Sequence, residues 1–137
     1  MNYLKVDAAV NNWSKVYKFL NKCLVDVNAE KKISGQILVA SEEIFVNISH
    51  YAYKPPSKGK VEINFNFKEI LAEVSIKFID NGVFFDPTKV SSAHINESVA
   101  RRPIGGLGLF IVKKFMDKMV YEHKNNQNNL IIIKKIK

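Results

Sequence analysis

A strict alternation of apolar and polar residues in the middle of the chain constrains the fold more than any other feature. It runs from Val61 to Lys68, and it returns from Glu73 to Phe78 after a short turn at Lys68-Glu69. Alternation of this kind predicts β-strands with one buried side and one solvent-facing side. Two such strands joined by a turn predict an antiparallel hairpin, so one face of a sheet needs cover from elsewhere in the chain.

Two amphipathic helices precede the hairpin and can supply that cover. Apolar residues step by three and four over Val10–Val27 and over about Lys31–Ala52, which is the spacing of one helical face. The first face consists of Val10, Trp13, Val16, Tyr17, Leu20, Leu24 and Val27. The second face consists of Ile33, Ile37, Ala40, Ile44, Ile48 and Tyr51. Pro55-Pro56 then ends the second helix, because proline cannot continue one.

A long aperiodic segment follows the hairpin. It extends from Pro87 to Ile104, and a loop of this length inside a compact domain is typical of a lid, a binding segment or disorder. The glycine-rich run Gly105–Gly108 then opens a third helix, which is predicted to continue to about Lys118.

Short strands complete the predicted sheet at both ends of the chain. Tyr3–Val6 alternates weakly and is predicted to form an edge strand. Met119–His123 and Leu130–Ile136 are predicted to form the last two strands, separated by an asparagine turn at Asn125–Asn129. This order predicts an α+β two-layer sandwich, with a mostly antiparallel sheet and helices on one face.

Length and composition exclude several classes of protein. At an ordinary domain size of about 100–200 residues, a chain of 137 residues forms one domain. The single cysteine, Cys23, excludes an internal disulfide framework and a cysteine-based zinc cluster, and we expect it to be a small buried hydrophobe. No apolar run approaches the ~18 residues of a membrane span, and Met1–Asp7 lacks the layout of a signal peptide. We therefore expect a cytoplasmic protein with no membrane partner.

The net charge of +8 raises the question of nucleic-acid binding. The lysines are scattered along the chain, and the arginines are the adjacent Arg101 and Arg102 alone. Many proteins that recognise single-stranded RNA combine arginines with an aromatic-rich strand. Neither arginine of this chain accompanies such a strand. The charge distribution therefore favours a solvated surface over a nucleic-acid partner.

Two groups of polar residues are candidates for chemistry, and each has a plain structural alternative. Asp80 continues the inward parity of Val74–Phe78, so its carboxylate needs a donor or a function; it could also be a turn residue before Asn81-Gly82. Glu43 and Asn47 are four residues apart and share one helix face. They fit an amide that binds Mg²⁺ beside a carboxylate base, or an ordinary surface pair.

The glycine run is the third candidate. Gly105, Gly106 and Gly108 free backbone N–H groups at a helix N-terminus, where phosphate binds well. The run is not a P-loop, because no Gly-Lys-Ser/Thr follows, and it lacks the βαβ context of a dinucleotide fingerprint. Glycines also commonly mark the boundary between a loop and a helix without any role in binding.

Taken in this order, the three candidates resemble the GHKL ATPase superfamily of gyrase, heat-shock chaperone, histidine kinase and mismatch-repair ATPases. Glu43–Asn47 resembles the N box, Asp80–Pro87 the first glycine box, and Gly105–Leu109 the second. The stretches Ala40–Tyr53 and Gly105–Tyr121 are most similar to the stand-alone anti-sigma-factor serine kinases. The resemblance covers nearly the whole chain.

The resemblance implies a Bergerat ATP-binding fold over residues 1–137, with ATP between the helical layer and a lid at about 87–104. Arg101 or Arg102, on that lid, would neutralise the γ-phosphate. The second glycine box would hold the phosphates through its backbone, and its residues are Gly105, Gly106, Leu107 and Gly108.

Family roles then follow for the other motif residues. Asp80 would accept a hydrogen bond from the adenine amino group, and Gly82 would let the backbone pass the base. Asn47 would coordinate Mg²⁺, and Glu43 would orient or deprotonate the incoming hydroxyl. The family often carries a threonine near the start of the last strand, and this chain has Asn128-Asn129 instead, so the resemblance does not carry over that nucleotide-contacting hydroxyl.

The resemblance implies an ATP-dependent serine/threonine protein kinase of the anti-sigma-factor type. It would phosphorylate a small antagonist protein and sequester a sigma factor, and the related kinases are commonly homodimers. Two alternatives are an ATP-binding module that regulates a partner without phosphate transfer, and a basic nucleic-acid-binding protein. The phosphoacceptor helix hairpin of a histidine kinase has no place in the chain, and the histidines, His50, His94 and His123, are too dispersed for a metal cluster.

Overall fold

Five strands form a single sheet in the computed structural model, which describes residues 2–89 and 103–137, with the backbone alone at residue 89 and residues 103–107. The strands are β1 (Asn2–Asp7), β2 (Lys60–Lys68), β3 (Glu73–Asp80), β4 (Lys118–Lys124) and β5 (Gln127–Lys135). Their order across the sheet is β1-β2-β3-β5-β4, and each neighbouring pair is antiparallel. The predicted hairpin is β2–β3, and the predicted edge strand is β1.

Within the described residues, three α-helices cover one face of this sheet. They are α1 (Trp13–Asp26), α2 (Lys31–Tyr51) and α3 (Pro103–Phe115), and short 3-10 turns lie at Val10–Asn12 and Pro87–Lys89. The α+β two-layer sandwich predicted from the sequence is therefore confirmed. The predicted lid at about 87–104 lies outside the described residues except at its two ends.

Alternate strand residues and the helix stripes meet in one core. The largest fully buried side chains include Phe45, Phe78, Leu20, Leu24, Ile37, Ile44, Ile63, Ile76 and Ile132. Full burial of a side chain of this size stabilises the fold by about 1.5–3 kcal/mol relative to exposure. Trp13 flanks the core, with its ring centroid 6.1 Å from that of Phe45. The core thus fixes α2 over the centre of the sheet, where β3 ends.

The predicted apolar stripes were too wide at three positions. Val10 is 44% exposed because it lies in the 3-10 turn, out of phase with α1. Tyr17 is 43% exposed beside Trp13 at the flank of α1, whereas Cys23 is buried, as expected. Tyr51 is 37% exposed at the end of α2.

The last hairpin turns more tightly than the sequence suggested. Asn125 and Asn126 have φ of 54° and 61°, so these two residues alone make the turn. Asparagine tolerates this left-handed region, which two-residue hairpin turns require. The predicted five-residue turn was therefore wrong, because Asn128 and Asn129 belong to β5. Asn128 consequently lies on the core side of the sheet.

The end of α3 is held on β5 by three contacts. Lys134 Nζ donates to the carbonyl of Phe115, the last residue of the helix, at 2.6 Å. The N–H of Asp117 donates to the Ile133 carbonyl at 2.9 Å, and an Asp117 carboxylate oxygen accepts from the N–H of Lys135 at 2.7 Å. A cation at a helix C-terminus also complements the helix dipole. These contacts fix the position of α3 beside α2.

Gly35 lies on the exposed side of α2, and a Cβ built there meets nothing within 4 Å. Gly35→Ala is expected to raise the free energy of unfolding by about 0.5–1 kcal/mol, because alanine loses less backbone entropy in a helix. Urea unfolding measures the change. Gly59→Ala is the matched control, since a Cβ there would meet the Tyr53 ring at 2.1 Å, and it should destabilise. No gain in Gly35→Ala would contradict the helical placement.

Candidate functional site

A cavity of about 380 Å³ opens between α2, the end of β3 and the middle of α3. Its walls are mainly apolar and include Ile44, Ile48, Val83, Leu109 and Leu130. The residues with polar side-chain groups that line it are Asn47, His50, Tyr51, Tyr53, Lys54, Asp80, Tyr121 and Asn128. A mostly apolar cavity of this size with a few convergent polar groups is typical of a small-molecule site.

Asp80 is the last residue of β3 and lines the cavity with only 6% of its surface exposed. Its Oδ1 accepts from the Asn128 amide nitrogen at 2.9 Å and from the Gly82 N–H at 2.9 Å. No described residue donates to its Oδ2. Burial raises the pKa of this carboxyl, and the two hydrogen bonds partly oppose that rise. The inward orientation predicted from strand parity is confirmed, and one oxygen is available to a ligand.

The turn after Asp80 packs tightly on the end of α2. A Cβ at Gly82 would lie 2.2 Å from the carbonyl oxygen of Ala52, and that carbonyl accepts from the N–H of Val83 at 2.7 Å. The Tyr53 hydroxyl accepts from the N–H of Asn81 at 2.9 Å and donates to a carbonyl at the start of β2 at 2.7 Å. Glycine is therefore required at position 82 for the chain to pass this close to α2.

Asn47 faces the cavity from α2, opposite the end of β3. Its Oδ1 is buried and has no hydrogen-bond partner within the described part of the chain. A buried acceptor without a donor is costly, and an amide oxygen is a ligand that Mg²⁺ accepts. Residues 2–89 and 103–137 contain no group of three His, Cys, Asp or Glu side chains that could hold a metal by themselves. Among the described residues, Asn47 is therefore a single candidate ligand for a cation and not part of a cluster of ligating side chains.

Glu43 lies one helical turn before Asn47 and does not line the cavity. It packs against α3, where a Cβ on Gly108 would come within 2.7 Å of Glu43 Oε2. Burial, and to a lesser extent the neighbouring Glu42, raises the pKa of Glu43. The structure thus places this carboxylate at the contact between α2 and α3, on the α2 turn next to Asn47.

The glycine run is helical in this structure. α3 begins at Pro103, two residues earlier than predicted, because proline favours the first position of a helix. Only the first N–H groups of a helix lack an acceptor within the helix, and the N–H of Gly105 is one of them. Gly106 and Gly108 come later, where the N–H groups bond within the helix. Leu107 is also within the helix. Arg101 and Arg102 lie outside the described residues.

Two residues at the site were missed by the sequence analysis. Asn128 and Tyr121 both face the cavity, and the Tyr121 hydroxyl donates to Asn128 Oδ1. Phe84 packs edge-on against Tyr121 at 5.9 Å and against His123 at 5.1 Å. Strand parity could have found Asn128, since Leu130 and Ile132 of the same strand are buried. The predicted turn extended to Asn129, so Asn128 was assigned to the turn and not to the strand.

The chain is similar in sequence to bacterial proteins named as serine or serine/threonine kinases. It is 26% identical over 96 residues to the serine/threonine-protein kinase BtrW of Bordetella bronchiseptica, covering 70% of this chain and 66% of that one. It is 33% identical over 97 residues to the serine-protein kinase RsbW of Bacillus cereus, covering 68% and 59%. The matches thus span less than two thirds of the length of these relatives.

Two solved structures share the fold. The structure of the RsbU and RsbW domains of Rv1364c from Mycobacterium tuberculosis matches 99% of this chain and 33% of that one, with a TM-score of 0.68 and 16% identity. The histidine kinase domain of the Erythrobacter litoralis EL346 blue-light activated histidine kinase matches 88% and 60%, with a TM-score of 0.58 and 12% identity. At these identities the likeness concerns the fold alone.

The described helices include none that is both long and apolar enough to cross a bilayer. The family model described as the histidine kinase-like ATPase domain matches residues 6–135, which is nearly all of the chain. The chain therefore belongs to the histidine kinase-like ATPase domain family.

Proposed function

We propose that this chain binds ATP with Mg²⁺ and transfers the γ-phosphate to a serine or threonine of a small antagonist protein, as a kinase of the anti-sigma-factor type. The observation that carries the proposal is a pair of oxygens at one cavity, Asp80 Oδ2 and Asn47 Oδ1, to which no described residue donates. One suits the amino group of a base and the other suits a cation. The names of the kinase relatives support the same function.

The base would occupy the apolar part of the cavity. Ile48, Val83 and Leu130 supply flat apolar contact, and Asp80 Oδ2 would accept from the exocyclic amino group of adenine. Because Gly82 has no side chain, the turn can lie close to α2, and the end of β3 stays open to the base. Binding would give Asp80 Oδ2 a donor, which no described residue supplies.

The phosphates would extend from the base toward Asn47 and the first turn of α3. Asn47 Oδ1 would hold Mg²⁺, which neutralises phosphate charge when it is bound. The N–H of Gly105 is placed at the helix N-terminus, where the dipole favours an anion. In this proposal Gly106, Leu107 and Gly108 join the phosphate site through a rearranged start of α3, and Arg101 or Arg102 neutralises the γ-phosphate.

Glu43 would act on the attacking hydroxyl. Its carboxylate accepts the proton as the serine oxygen bonds to the γ-phosphorus, and the bond between that phosphorus and the departing ADP breaks. The raised pKa of Glu43 makes it a stronger base than an ordinary glutamate once it is ionised. Its packing on Gly108 holds it next to the turn that carries Asn47.

The partners follow from the same proposal. They are an antagonist protein with an acceptor serine or threonine, a sigma factor that is sequestered, and a second copy of this chain. A cytoplasmic location and the lack of a nucleic-acid partner remain predictions from the sequence. Phosphorylation of an antagonist encoded beside this gene tests the kinase function, and ATP binding without transfer would favour the regulatory module.

Asn47→Ala is expected to remove the Mg²⁺-dependent part of ATP affinity. The loss should be at least comparable to the ~10–100-fold that removal of an outer-shell group costs at a metal site. Calorimetric titration with ATP, in the presence and absence of Mg²⁺, measures it. Asn64→Ala, on the outer side of β2, is the matched control and should bind as the unchanged protein does. Equal Mg²⁺ dependence in Asn47→Ala and the control would refute the metal assignment.

A further inference from the structure

The side chain of Asn128 is buried and makes an unusually complete set of hydrogen bonds. Its Nδ2 donates to Asp80 Oδ1 at 2.9 Å, to the Val83 carbonyl at 3.1 Å and to the Gly82 carbonyl at 3.4 Å. Its Oδ1 accepts from the Tyr121 hydroxyl and from the N–H of Phe85 at 3.5 Å. One amide thus joins β3, the turn after it and β4.

These contacts allow the amide only one orientation. Rotation by half a turn would set Asn128 Oδ1 against two carbonyl oxygens and Asp80, none of which donates. Burial, followed by the charges of Asp86 and Asp80, raises the pKa of Tyr121, so its hydroxyl keeps its proton and donates. The nitrogen of Asn128 therefore always faces Asp80.

This fixed orientation determines what Asp80 can offer a ligand. Two N–H donors, from Asn128 and Gly82, occupy Oδ1, so Oδ2 is the oxygen that remains for a ligand. Both hydrogen bonds stabilise the ionised carboxylate against the effect of burial, and the Oδ2 of the ionised form is a pure acceptor. A base with an amino group can donate to it, whereas a base with a carbonyl at the same position would meet a second acceptor.

We propose that Asn128 is a positioning residue that keeps Asp80 an acceptor, so that the site selects 6-amino purines over 6-oxo purines. The proposal rests on the ATP-binding function proposed above and adds a residue that acts on selectivity through Asp80. The Asn128 hydrogen bond lowers the pKa of Asp80 against the effect of burial, which supports the same direction. Tyr121 acts indirectly, because its hydroxyl donates to Asn128 Oδ1 and so helps to hold the amide in this orientation.

Other ionisable groups near the site could affect its pH dependence. Those that line the same cavity are Tyr51, Tyr53, Tyr121, His50 and Lys54, and the charge of Asp86 acts on Tyr121. Asp80→Asn isolates the contribution of Asp80, because it leaves all of these groups in place. Any pH dependence of affinity that survives in Asp80→Asn belongs to them.

The test compares ATP with inosine triphosphate, which carries a 6-oxo group in place of the 6-amino group. Calorimetry on the whole chain with Mg²⁺ gives the affinity ratio of the two nucleotides across mildly acidic to neutral pH. The unchanged protein should prefer ATP, and Asn128→Ser should reduce the ratio by roughly tenfold, the effect of one hydrogen bond to a charged group. It should also move the loss of ATP affinity on acidification to higher pH, because the pKa of Asp80 rises.

The matched control is Asn129→Ser, which changes the neighbouring asparagine on the opposite side of β5 and should leave the ratio unchanged. If Asn128→Ser lowers the affinity for both nucleotides equally, the residue is only structural and the inference fails. If Asn128→Ser does not fold, Tyr121→Phe decides: a reduced ratio supports the inference, and an unchanged ratio overturns it. Absence of ATP binding by the unchanged protein would instead overturn the proposed function, and this inference with it.

Discussion

Glu43→Gln is expected to lower the rate of phosphate transfer by roughly 10²–10⁴-fold while ATP still binds. Glutamine keeps the shape and polarity of the side chain but cannot accept a proton. Phosphoryl transfer depends mostly on positioning and charge neutralisation, so the fall could lie at the lower end of that range. Transfer of labelled phosphate to a cognate antagonist, with nucleotide affinity measured alongside, gives both quantities.

Glu42→Gln is the matched control for this variant, because Glu42 is the exposed neighbour of Glu43 on α2. It should transfer phosphate nearly as well as the unchanged protein. The pH dependence has a definite sign: a raised pKa protonates Glu43 at a higher pH than an ordinary glutamate, so the rate should fall early on acidification. Full activity in Glu43→Gln would refute the base assignment.

Asp80→Asn is expected to weaken ATP binding by about 1–3 kcal/mol, or roughly 5–150-fold. The new amide can still accept from Asn128 and Gly82 through its oxygen, so the turn is retained. Its nitrogen then occupies the place of Oδ2 and presents a donor to the adenine amino group. Calorimetry measures the affinity, and circular dichroism verifies that the variant is folded. Unchanged affinity would remove Asp80 from the base site.

The same substitution should also change how stability depends on pH. The folded pKa of Asp80 is raised above its unfolded value, so between the two values the folded state binds more protons. The free energy of unfolding therefore falls as pH rises through that window, and ionised Asp80 reduces stability at neutral pH. Asp80→Asn should lose this dependence in urea unfolding measured at several pH values. A carboxylate that is retained at a cost to stability is consistent with a role in binding.

Periodicity in the sequence was sufficient for most of the fold. Alternation placed the core sides of β2 and β3 and the inward carboxylate of Asp80, because side-chain direction in a strand follows directly from parity. Helical spacing placed Glu43 and Asn47 on one face of α2 for the same reason. These features depend on local geometry, which a sequence records without reference to the rest of the molecule.

The features that were missed depend on contacts between distant segments or on fine boundaries. Asn128 was assigned to a turn, because a run of asparagines does not show which two adopt positive φ. The start of α3 was placed too late because glycines suggested a boundary that Pro103 sets instead. The steric role of Gly82 depends on Ala52, thirty residues earlier in the chain, and Gly108 likewise packs on Glu43. Such contacts exist only after the sheet and helices have assembled.

A structure of the chain with bound ATP and Mg²⁺ tests the central claim most directly. The adenine amino nitrogen should lie about 3 Å from Asp80 Oδ2, and the metal should lie about 2.1 Å from Asn47 Oδ1. The triphosphate should reach the first turn of α3, with Glu43 beside the γ-phosphate. A nucleotide bound outside this cavity, or a base that leaves Asp80 Oδ2 without a donor, would contradict the proposed site.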